Sequence, residues 1–88
     1  MPIPEYPNWS FKFGQRRRDE LLCHAPEGSL VLEITQQVFL PTEEIWQRQA
    51  PSWAKGYWSI IHADLTAWCA TEGIPLKVSE TAEVSPCS

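Results

Sequence analysis

Aromatic and polar residues alternate in Trp9-Ser10-Phe11-Lys12-Phe13 until Gly14 interrupts them. This period of two predicts a strand with one face buried. Residues 15–18 read as a polar connection. Glu20 to Ala25 reads as a second short strand, although Asp19-Glu20-Leu21-Leu22 could equally begin one helical turn. Pro26-Glu27-Gly28-Ser29 places proline where φ must be near −65° and glycine close behind, so the chain should reverse there. The third strand has the clearest pattern. In Leu30-Val31-Leu32-Glu33-Ile34-Thr35, Leu30, Leu32 and Ile34 fall on one face and Val31, Glu33 and Thr35 on the other.

The period then changes. Pro41-Thr42-Glu43-Glu44 is a helix start: the threonine can accept from free amides, and two acids lie at the positive end of the helix dipole. A short helix should run to about Gln49, where Pro51 breaks it. Ser52 is placed to cap a longer helix reaching Glu72, in which Trp58, Ile61, Leu65 and Trp68 form one apolar stripe. Gly73 supplies the C-terminal cap, and Ile74-Pro75-Leu76-Lys77-Val78-Ser79 reads as a fourth strand, with Pro75 at a sheet edge or strand start.

These elements predict an α+β fold of two layers. A three-stranded antiparallel meander precedes one short and one long helix and a fourth strand follows them, with the long helix packed on one sheet face. The fourth strand is expected beside strand one or three. Residues 1–8 hold three prolines and form an extended lead-in, residues 9–79 make one domain, and residues 80–88 look too polar and aperiodic to be anything but a flexible tail.

Composition narrows the class. The 88 residues are 43% hydrophobic and 20% charged, which suits one packed core and excludes wholesale disorder. No apolar run approaches the roughly 18–20 residues of a membrane-spanning helix, and the first residues lack the basic and apolar regions of a secretory signal. Three cysteines, Cys23, Cys69 and Cys87, are an odd and sparse set, so a disulfide framework is not expected. A soluble, cytoplasmic protein is the expectation.

Charge bears on partners. Residues 1–20 carry Lys12, Arg16, Arg17 and Arg18 against Glu5, Asp19 and Glu20, while the rest carry eight acids against Arg48, Lys55 and Lys77. The net charge of −4 therefore sits in the later part of the chain and disfavours wholesale coating of a nucleic acid.

Candidate chemistry is sparse. Cys23, His24, His62 and Cys69 are ligand-type residues, but adjacent residues on a strand point to opposite faces. His62 and Cys69, seven residues apart on a helix, are separated by about 10 Å along its axis. Neither a metal nor any other cofactor is expected. A small enzyme or ligand-binding domain would have to use His62 with Cys69 or Asp64 at a concave surface. Arg16, Arg17 and Arg18 follow Trp9, Phe11 and Phe13, a basic and aromatic combination that can serve nucleic acid or phosphate binding. The other anomaly is aromatic. Trp46, Trp53 and Tyr57 surround the Pro51 break, where a partly exposed ring can anchor a protein partner. Lack of a catalytic signature makes a non-enzymatic interaction module the leading expectation, with a protein partner or a second copy bound through that aromatic corner or a sheet edge.

Overall fold

The computed structural model describes residues 10–87. It is an α+β fold, with six strands in one mixed sheet and two α-helices. The strands are β1 (Lys12–Arg17), β2 (Glu20–Ala25), β3 (Gly28–Ile34), β4 (Val38–Pro41), β5 (Leu76–Ser79) and β6 (Val84–Cys87). Between β4 and β5 lie α1 (Glu43–Gln49), a 3-10 segment (Ser52–Tyr57) and α2 (Trp58–Glu72).

The meander forms as the alternation predicts. β1, β2 and β3 pair antiparallel, with Phe13 opposite Cys23 and Cys23 opposite Leu30 on the face that turns inward. Leu21, Cys23, Leu30, Leu32 and Ile34 are all buried, so the pleat sends every second residue of β2 and β3 to the core. The stretch at residues 19–25 is a strand, with no helical turn. β1 begins later and runs further than expected: it passes through Gly14 into Arg16 and Arg17, leaving Arg18 and Asp19 as the turn. An edge strand needs only backbone partners on one side, so polar side chains do not end it. Trp9 and the proline-rich lead-in lie outside the described residues.

Two strands were not expected. β4, the short run Val38-Phe39-Leu40-Pro41, pairs antiparallel with the end of β3 and parallel with β5. The fourth strand of the sequence reading therefore lies against β4, neither beside β1 nor beside β3. The connection from β4 through both helices to β5 is a crossover, which a parallel pair requires. Residues 80–88, expected as a flexible tail, contain β6. Val84, Ser85, Pro86 and Cys87 pair antiparallel with Leu32, Val31, Leu30 and Ser29, filling the length of the β3 edge that β4 leaves open. Ala82 and Val84 are buried, and the Val84 amide donates to Gln49 Oε1 at 3.0 Å.

The helices close one face. Thr42 Oγ1 accepts from the Ile45 amide at 3.5 Å, capping α1 as its sequence predicts. Ser52 caps nothing: Pro51 precedes the 3-10 segment, and neither that segment nor α2 has a side-chain cap. The expected single long helix is thus a tight 3-10 entry followed by α2. Ile61, Leu65 and Cys69 carry the buried stripe, while Trp58 and Trp68 flank it half-buried. Gly73 ends α2 at φ 72°, the left-handed cap conformation that glycine adopts without Cβ strain.

Gly28 meets a close approach. A Cβ there would lie 2.9 Å from two carbons of the Trp53 ring, so the 3-10 segment rests directly on the start of β3. Gly28→Ala is expected to destabilise the domain by about 1–3 kcal/mol, because a rigid indole must be displaced. Urea unfolding followed by circular dichroism measures this; an unchanged midpoint would mean that the ring swings aside freely.

Candidate functional site

The aromatic corner is a packing joint. Trp46 is 0% exposed, and its indole Nε1–H donates to the Ala54 carbonyl at 2.8 Å. Thr42 starts α1 so that Ile45 and Trp46 turn inward, and Ala54 supplies the acceptor that a buried indole needs. Trp46 is therefore not the exposed anchor of the sequence reading. Trp53 and Tyr57 are half-buried against the core, Trp53 over Gly28. Lys55 and Gln47 tie the same joint from outside, each side chain donating to the other residue's carbonyl.

The residues proposed for chemistry are dispersed among structural tasks. Cys23 and Cys69 are both buried, and burial pushes both thiols up from their ordinary range, which keeps them protonated and poorly nucleophilic. His62 stacks on Trp58, with ring centroids 5.1 Å apart and planes 13° from parallel. Asp64 accepts from the Phe11 amide at 3.0 Å and fastens the entry to β1 onto α2. His24 Nδ1 lies 2.7 Å from Ser29 Oγ on the open sheet face, a cross-strand pair of neighbouring residues. Among the described residues, no group of three His, Cys, Asp or Glu side chains could hold a metal ion.

The arginine triplet is brought together at one end of β1. Arg16 donates twice to Glu20 Oε1, at 3.1 Å through Nε and 2.8 Å through Nη2, and Arg17 Nε lies 3.6 Å from the same oxygen. Glu20 therefore offsets part of the charge that a phosphate would meet. Arg17 and Arg18 remain exposed. A shallow hollow on the open face nearby is lined by Asp19, Glu20, Glu33 and Glu83, so the anion-repelling surface begins one strand away.

β1 is where side chains and free backbone come together. It is a terminal strand of the sheet, pairing only with β2 among the described residues. Five of its six residues are exposed. On the open face its register places Lys12 opposite His24 and Arg17 opposite Glu20. On the helix side Phe13 is half-exposed, stacked near Phe11 at 6.3 Å and tilted against Trp68 at 5.8 Å. The same flank of α2 carries Ile60, one turn before Asp64 and 36% exposed. No family model matches the chain, and no curated protein or solved structure matches it either. The arrangement itself offers a row of main-chain hydrogen-bonding groups between an aromatic ledge and a basic margin. It positions no acid, base and nucleophile around a common point.

The sequence joined Arg16, Arg17 and Arg18 to Phe11 and Phe13, but gave no sign that Trp68 packs against Phe13 beside this edge. The juxtaposition arises from tertiary structure, since α2 crosses β1 more than 40 residues later in the chain. No helix is long and apolar enough to cross a membrane among the described residues.

Proposed function

We propose that this chain is a non-enzymatic protein-interaction module that engages a protein partner through the outer edge of β1, which has no strand partner among the described residues. The supporting observation is the exposed terminal strand: it presents a backbone edge beside the half-exposed Phe13 and Trp68, while the aromatic corner is consumed by packing. Extended peptides bind such edges by adding a strand, with main-chain hydrogen bonds giving affinity and alternate side chains giving specificity. Trp53 and Tyr57 belong to the support of this surface, since the 3-10 segment they occupy leads directly into α2. The setting we propose is the cytoplasm, supported by the unpaired buried thiols of Cys23 and Cys69.

Position 14 allows a direct test. A Cβ at Gly14 would meet nothing within 4 Å among the described residues, so a photo-crosslinking amino acid is placed there, with circular dichroism checking that the fold is kept. In the native host, light should join this variant to a discrete protein, whereas the same probe at exposed Ala70 on α2 should give none. Equal labelling from both positions, or none from position 14, would refute the edge as the contact.

A further inference from the structure

We infer that the occupant of the β1 edge is an extended segment of alternating acidic and apolar residues from a different protein; this rests on the interaction-module reading above. Two independent features flank the same stretch of backbone, whose outer edge has no strand partner among the described residues. Lys12 and Arg17 lie on its open-face side, with Arg18 in the adjoining turn. Phe13 and Trp68 line its helix side. Successive side chains of an added strand point to opposite faces, so one set would meet the cations and the other would extend the aromatic ledge. Aspartate or glutamate answers the first set, and an aliphatic or aromatic residue the second. A bulge between Gln15 and Arg17 limits the straight register to residues 12–15, which a short segment can match.

A second copy of the chain fits poorly. Among the described residues its sheet edges are β1, β5 and β6; β5 carries Lys77 with Pro75 just before it, and β6 carries Pro86. Pairing β1 with β1 sets Lys12 against the arginines, and pairing β1 with β5 brings Lys77 among them. Like charges directly opposite destabilise strand pairs, and lysine or proline on an edge is a common protection against self-pairing. The charges that forbid a copy attract an acidic strand. Glu20, 3.6 Å from Arg17, offsets part of this attraction, while acids farther than about 8 Å are largely screened at physiological salt.

The test uses the full chain, labelled with nitrogen-15, and three probes: an eight-residue peptide of alternating glutamate and valine, its lysine–valine counterpart, and a short single-stranded oligonucleotide. The glutamate–valine peptide should shift the amides of β1 and the indole of Trp68. It should bind about tenfold or more tightly than the lysine–valine peptide and weaken severalfold when salt is raised from about 0.15 M to 0.5 M. The double variant Lys12→Glu, Arg17→Glu should reverse that preference. Arg18→Glu lies outside the strand ladder and should reduce it if the double variant fails to fold. Equal binding of both peptides at β1 overturns the acidic preference and leaves the edge reading intact. An oligonucleotide that binds where the acidic peptide does not overturns it in favour of nucleic acid. No β1 shift with any probe, together with no adduct from position 14, removes both readings.

Discussion

Replacing Trp46 with alanine should cost the domain about 3–5 kcal/mol and leave much of the population unfolded under mild denaturant. The side chain is wholly buried, and it is the largest fully buried residue in the described structure. Its removal opens a cavity between α1, β4 and the 3-10 segment and leaves the Ala54 carbonyl without the donor at 2.8 Å. A buried acceptor left unsatisfied adds a penalty of about 1–3 kcal/mol unless water enters. For a domain of this size the whole stability is roughly 4–13 kcal/mol, so one substitution removes a large share. Urea titration of Trp46→Ala against wild type, read by far-ultraviolet circular dichroism, gives the difference. Trp46→Phe separates the two contributions, because it keeps most of the ring volume and loses only the indole donor. A wild-type midpoint for Trp46→Ala would contradict its place in the core.

That substitution also tests what the sequence could say about function. Trp46 and Trp53 near a proline break resemble an exposed anchor because local pattern reports where a helix stops. It does not report which way the preceding helix is rolled. The roll of α1 follows from Thr42 at its start and from the 3-10 segment that folds back to offer Ala54. Neither contact is local in sequence. The stripe of α2 was legible because Trp58, Ile61, Leu65 and Trp68 repeat at helical spacing on one element, and the meander was legible because Leu30, Leu32 and Ile34 alternate on one strand. β4 lacks both signals. Three apolar residues in succession fit a strand buried on both sides or a piece of helix, and the length is too short to decide. The basic triplet was visible at once, but its meaning changed when Glu20 was found paired with two of its members.

The candidate edge shows the same division. The exposure of β1 follows from topology: β4 and β5 extend the other side of the sheet, β6 fills the remaining edge of β3, and among the described residues β1 ends its own side. Its aromatic margin depends on α2 crossing the same strand. The Asp64 bond to the Phe11 amide fixes that crossing, and it joins residues 53 positions apart. Long-range pairings of this kind leave no periodic trace, so the charges were visible and the site they border was not.

Removing residues 84–88 should destabilise the fold on the order of 2–4 kcal/mol, after the entropy regained by the released residues is set against the lost contacts. A flexible tail would cost nothing. Instead the deletion strips β3 of its partner along residues 29–32 and uncovers the flank of Leu30 and Leu32, both almost wholly buried. It also removes the buried Val84 side chain and leaves Gln49 Oε1 without the Val84 amide, so the end of α1 loosens with the sheet. The signal for this strand was present but brief: Ala82 and Val84 alternate with Thr81, Glu83 and Ser85, the period of a half-buried strand over only a few residues. Proline at position 86 argued against it, yet β6 lies outside the main strand path, bonded to β3 alone, where a missing N–H is tolerated. Thermal melts and amide exchange distinguish the alternatives. The shortened chain should melt lower and lose protection at residues 29–32, while β1 keeps its pairing with β2. Unaltered exchange in β3 would mean that its second edge does not depend on β6.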